Sequence, residues 1–144
     1  MKKSLWIIRT ALMTLILAGS AAYAFNNSFL KSGEAKLKSG HNKEAIVEFT
    51  KAIEHNPKQA KSDLAKAYCH RGVAERAIGE IEAANLDFRK AIELDPTPKD
   101  AIAFTNRAIA KSALGDINGA KSDFKMAASL SNNSEEDEIN PNNG

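Results

Sequence analysis

The chain has 144 residues, of which 43% are hydrophobic, 26% charged and only 6% aromatic, and its formal charge is +2. That is room for one small domain with a core of Ala, Leu and Ile, which favours helices packed through small side chains over a β-sandwich. A lone cysteine, Cys69, excludes an internal disulfide, and so weak a charge excludes the clustered basic face that nucleic acid requires.

The first element in chain order is a leader. Lys2 and Lys3 precede the apolar run TALMTLILA, and Ala22-Tyr23-Ala24 supplies small residues on either side of a bulky one. This is the layout of a secretory signal peptide over residues 1–24, cleaved after Ala24. An uncleaved membrane anchor is the weaker reading, because Arg9 leaves too short an apolar run to span a bilayer. No second apolar stretch follows, so the mature chain is expected off the membrane, periplasmic or secreted. Removing Lys2, Lys3 and Arg9 takes the charge to −1, and the acidic tail then leaves +3 for the middle.

Residues 25–132 repeat. Segments 33–57, 72–96 and 108–132 align without gaps. Gly40, Gly79 and Gly115 share one offset, followed by Ala45, Ala84 and Ala120, then Phe49, Phe88 and Phe124, then Ala52, Ala91 and Ala127. Pro57 and Pro96 close the first two copies, and Phe29, Tyr68 and Phe104 stand upstream of each. Spacings of three and four put Ala45, Phe49, Ala52 and Ile53 on one helical face. The glycines mark the points where a helix must stop and reverse, which calls for positive φ. Each unit is therefore predicted to be a helical hairpin, with Gly33 facing Ala45 and Gly72 facing Ala84, and with the Phe filling the space between stacked hairpins.

The turn glycines stand 39 and then 36 residues apart, the extra residues falling at 58–64 and 97–100. Asn56-Pro57 and Thr97-Pro98 each read as an N-cap followed by Pro at the first helical position, so the additions are expected to lengthen the first helices of units two and three.

This pattern resembles the tetratricopeptide-repeat family, in which Ala, three residues, Phe and then Pro end a unit of about 34 residues. The resemblance implies an all-α solenoid of three helical hairpins, with repeats at 26–57, 65–96 and 101–132. It also implies a concave groove lined by the first helix of each hairpin, where a partner protein's segment binds. Mapped by offset, the groove would carry Leu30, Glu34, Leu37 and Lys38 from unit one; Lys66, Cys69, Val73 and Arg76 from unit two; and Ile102, Thr105, Ile109 and Ser112 from unit three. Mixed apolar and cationic positions suit a segment alternating apolar and acidic residues. Family members that clamp the acidic C-terminal tails of chaperones use Lys, Asn and Arg. Here the corresponding offsets hold Leu30, Glu34, His70, Ile102 and Asn106, so that clamp is not expected.

A solenoid must close its last apolar face. Lys121, Lys125 and Ala128 replace Ile46, Thr50 and Ile53 of unit one, which reads as a soluble C-terminal cap; the other reading makes Phe124 and Ala128 half of a dimer contact. The tail, residues 133–144, carries Glu135, Glu136, Asp137 and Glu138 and is expected to be disordered.

Chemistry has little footing. Cys69 and His70 adjoin, but neighbours on a helix point about 100° apart and make no nucleophile–base pair. His41 and His55 read as surface residues, no metal-ligand spacing occurs, and no cofactor motif is present. The expectation is a non-enzymatic adaptor that binds a partner protein after export, and the runner-up is a self-associating subunit of an envelope complex.

Overall fold

The computed structural model describes residues 27–55 and 61–139, with side chains up to residue 132. Six helices and no strand occur among them: α1 (27–38), α2 (Asn42–Glu54), α3 (Lys61–Ala77), α4 (Ile81–Leu94), α5 (Ala101–Ala113) and α6 (Ile117–Ile139). The leader, Asn56-Pro57 and residues 140–144 fall outside the described residues.

The turn glycines do what their offset demands. Gly40, Gly79 and Gly115 have φ of 78°, 89° and 90°, and no other described residue has positive φ. At each turn the amide after the glycine reaches back five residues: His41 to the Lys36 carbonyl, Glu80 to Glu75 and Asp116 to Lys111, each at 2.9 Å. The glycine amide itself bonds three residues back, which satisfies carbonyls that the ending helix would otherwise orphan. Three short identical turns make α1/α2, α3/α4 and α5/α6 antiparallel hairpins.

Stacking follows from small residues. Ala45, Phe49 and Ala52 of α2 bury against Leu30 of α1 and against Ala67 and Ala74 of α3. One unit further on, Ala84, Phe88 and Ala91 of α4 bury against Cys69 of α3 and Ala110 of α5. The helices α3 and α5 also touch each other directly, so the first helices of successive hairpins form one continuous wall. This is an all-α, tetratricopeptide-like solenoid.

Three local expectations change. The helix α5 begins at Ala101, not at Pro98: Asp100 is its N-cap and its carboxylate accepts from the Ala103 amide at 2.9 Å. Residues 97–100 therefore lengthen a connector and add no helical turn, because an Asp three residues ahead of a free amide caps better than Thr97. In unit two, α3 does gain length: it has 17 residues against 13 in α5. Second, the Phe ring reaches into its own hairpin as well as the next: the atoms nearest to a Cβ on Gly33 belong to the Phe49 ring, and Gly72 meets the Phe88 ring together with the expected Ala84 carbonyl. Third, α6 continues to Ile139, so residues 133–139, expected to be disordered, are helical. After Gly119 no Gly or Pro interrupts α6, so nothing in its backbone chemistry stops the helix at residue 132.

The third phenylalanine does not fill a stack. Phe49 and Phe88 are 0% and 1% exposed, but Phe124 is 44% exposed. Lys121, Lys125 and Ala128 face solvent as a cap requires, while Ile117, Phe124 and Met126 leave apolar surface beside them.

Candidate functional site

Of the twelve positions mapped to the groove, two lie in the core, nine line two recesses and one, Thr105, does neither. Leu30, 4% exposed, and Cys69, 0% exposed, belong to the two packing clusters and offer nothing to a partner. The Cys69 thiol donates to the Asn106 carbonyl at 3.2 Å, and burial pushes its pKa up to about 12. The Thr105 hydroxyl donates back to the Ala101 carbonyl at 2.8 Å, within its own helix, and lines neither recess.

Five positions converge. Glu34, Leu37 and Lys38 of α1, Lys66 of α3 and Ile102 of α5 line a recess of about 290 Å³, completed by His70 and Asn106. All three first helices contribute, so this recess is the concave face of the stack. Its electrostatics are largely internal: Glu34 pairs with Lys66 at 2.5 Å and stands 3.7 Å from His70 Nδ1. Burial lowers the His70 pKa, outweighing the pull of the Glu34 carboxylate, so the ring is neutral at pH 7. Its edge meets the Phe49 ring, with centroids 5.7 Å apart, tying the recess floor to the inter-unit core. Lys38 makes no ion pair among the described residues.

The other four positions, Val73 and Arg76 of α3 and Ile109 and Ser112 of α5, line a second recess of about 510 Å³ near the hairpin turns. Phe88 and Phe124 form its apolar side. Arg76 is committed within it: its Nη1 donates to the Ala113 carbonyl at 3.0 Å, binding the end of α5 to α3.

His70 and Asn106 are the recess residues that offset mapping assigned only to a missing clamp. Also unread were two charged bolts, although their register is visible in the repeat. Arg71 grips Asp87 with Nε at 2.7 Å and Nη2 at 2.9 Å, while Nη1 donates to Thr50 in the preceding unit at 3.1 Å. Arg107 grips Asp123 in the same way, at 2.7 and 2.6 Å, and also donates to the Pro96 carbonyl. The Arg107 hydrogen bonds hold the Asp123 carboxyl below the usual carboxylate range, and Lys111 adds to them at 2.9 Å. At the offset of Lys111, unit two has Glu75, buried beside Asp87. Among the described residues no group of three or more His, Cys, Asp or Glu could hold a metal ion, and no helix is long and apolar enough to cross a membrane.

Residues 65–98 match the tetratricopeptide repeat family. Among solved structures, the chain is similar to the second TPR of Spaghetti (RPAP3) bound to the HSP90 peptide SRMEEVD. That match is 28% identical with a TM-score of 0.57, over 83% of this chain and 97% of that one. The TPR domain of Arabidopsis FLU is similar at 18% identity and a TM-score of 0.53, over 75% and 95% of the two chains. The TPR2AB domain of yeast Sti1, in its pHSP90 complex, matches at 24% identity and a TM-score of 0.50, over 95% of this chain and 53% of that one. No curated protein matches the chain.

Proposed function

We propose that the chain is a protein-interaction adaptor that works after export, holding an extended segment of another protein against α1, α3 and α5. The observation that carries this reading is the 290 Å³ recess, where all three first helices present side chains to one space. The similarity to the Spaghetti domain, whose structure contains a bound peptide, supports the same use of the fold.

The charges narrow the partner. Lys66 is matched by Glu34 and His70 is neutral, which leaves Lys38 as the cation available to a ligand. Leu37 and Ile102 supply apolar surface on either side. A segment with one acidic residue between apolar ones suits that face better than a run of carboxylates. Export rests on the leader sequence and is tested by whether the mature chain starts at Phe25 in a fractionated cell.

Partner capture with the full chain, repeated with Lys38→Glu and with Ile102→Glu, tests the groove. Both variants are expected to lose the partner while keeping the helical content of the parent. Retention of the same partners by both would place the binding site elsewhere.

A further inference from the structure

Two polar atoms in the smaller recess lie buried without a hydrogen bond among the described residues: Glu34 Oε1 and His70 Nδ1. They face each other across 3.7 Å. The same Glu34 oxygen touches Lys66 Nζ at 2.5 Å, a charge contact that lacks hydrogen-bond geometry. A carboxylate is thus held between a fixed cation and a ring nitrogen that donates nothing to it while it carries no proton. A proton on Nδ1 turns that nitrogen into a charged donor, and closing the gap by about 1 Å completes a charge-assisted hydrogen bond.

Every helix packed around the ring bears on that proton. From α1 come Glu34 and Lys38, and from α3 itself Lys66; α5 supplies the Asn106 amide and α2 the uncharged edge of Phe49. Burial opposes the charged ring most, Glu34 favours it, Lys66 opposes it, and a hydrogen bond with Asn106 favours it; Lys38 adds a further repulsion. With the ring neutral, the two lysines against Glu34 leave the recess one positive charge, and a protonated His70 makes it two. A partner carboxylate beside Lys38 or Lys66 offsets their repulsion of the imidazolium, so it favours the charged ring.

We infer that the recess takes up an acidic partner segment together with one proton, and that the proton resides on His70. With the proton in place, Glu34 is shared between Lys66 and the ring, and Lys66 is freed to meet a second partner carboxylate beside the one that Lys38 takes. The segment is read by its charge: one carboxylate at neutral pH, two when the ring is charged. A neutral polar segment gains nothing from the proton, so pH sorts partners by their acidity. The inference rests on the recess being the partner site and adds to that reading how the site is regulated. Binding and protonation favour each other reciprocally, so affinity for an acidic segment rises as pH falls and levels off below the titration of the free ring.

The probes are the end-blocked peptide LELEL and its uncharged counterpart LQLQL, titrated calorimetrically into the full chain at about pH 7.5 and about pH 5.5, where the probe's glutamates stay ionised. LELEL is expected to bind about fivefold tighter at the lower pH, and LQLQL equally at both. By the same reciprocity, saturating LELEL raises the His70 midpoint, followed through its imidazole proton resonances in the parent chain, by about 0.7 pH unit. The exposed rings of His41 and His55, outside the recess, keep their midpoints. Glu34→Gln removes the acceptor of the protonated ring and lowers the His70 midpoint of the free chain, and His70→Gln makes LELEL binding independent of pH. A LELEL affinity that does not change with pH, a change that survives His70→Gln, or a His70 midpoint that neither LELEL nor Glu34→Gln moves overturns the inference and leaves the adaptor reading standing. Failure of both peptides to bind at either pH removes the recess as the partner site, and the inference with it.

Discussion

A Cβ built on Gly33 would lie 2.6 Å from the Phe49 ring, far inside contact distance, so the ring occupies the space that a side chain at position 33 would need. The same holds one unit on, where a Cβ on Gly72 would come within 3.0 Å of Phe88 and 3.1 Å of the Ala84 carbonyl. Unit three has Ala108 at this offset, with its methyl group in place, and there the phenylalanine is not seated. The missing side chain in α1 and α3 and the buried ring in α2 and α4 are one packing device.

Gly33→Ala therefore sets two effects against each other. Alanine favours the helix by about 1 kcal/mol, but forcing its methyl into the ring seat costs about 1–3 kcal/mol. Net destabilisation is expected, read as a lower thermal midpoint. A raised midpoint would show that the ring moves aside freely and that the seat is not selective.

The three phenylalanines should differ in weight. Phe88→Ala empties a fully buried site and is expected to cost about 3–5 kcal/mol, enough to bring a domain holding about 5–15 kcal/mol close to unfolding. Phe124→Ala, at the exposed copy, should cost well under half as much in the monomer. Denaturant midpoints for the two variants check this, and equal losses would mean that α6 is packed more tightly than its exposure indicates.

Glu75 should make a contribution to stability that falls as pH rises from about 4.5 to about 7, opposed below about 6.5 by His70, whose lowered pKa makes its own contribution rise with pH. Burial, reinforced by the Asp87 charge, raises the Glu75 carboxyl to about 7, while Arg71 at 3.7 Å pulls the other way and Glu80 adds to the rise. Across that window the folded chain keeps a proton that the unfolded chain, titrating near 4.5, has released, so each step up in pH favours unfolding until the folded group also ionises. Glu75 Oε2 has no hydrogen-bond partner among the described residues, and two carboxylates then share one guanidinium. Glu75→Gln is expected to flatten the profile and to add about 1–3 kcal/mol at pH 8. Urea midpoints across this range for both proteins decide it, and parallel profiles would remove Glu75 as the cause.

Cys69 should be chemically silent. A thiol held in the core with its pKa at about 12 presents no thiolate at neutral pH. A thiol reagent at pH 7.5 is expected to label it only in denaturant, at the rate of unfolding. Prompt labelling of the folded chain would contradict the packing of α3 against α5.

Much of this protein is legible in a list of offsets. Glycine, alanine and phenylalanine recurring at one register dictate helical hairpins, because only glycine takes positive φ cheaply at the turn and only small residues let the two backbones approach. The arginine–aspartate bolts obey the same register, Arg71 with Asp87 and Arg107 with Asp123, and could have been read there. What periodicity does not convey is how far a neighbouring helix covers each face. Leu30 and Cys69 share helices with Glu34 and Lys66, yet the former are sealed by α2, α4 and α5 and the latter open onto the recess. Offset fixes direction around one helix axis, whereas exposure depends on where the next axis lies. For the same reason Glu75 looks in sequence like any helical glutamate. Only the packing of α4 over α3 sets it beside Asp87 and makes it the one unit's departure from the lysine that its counterparts carry.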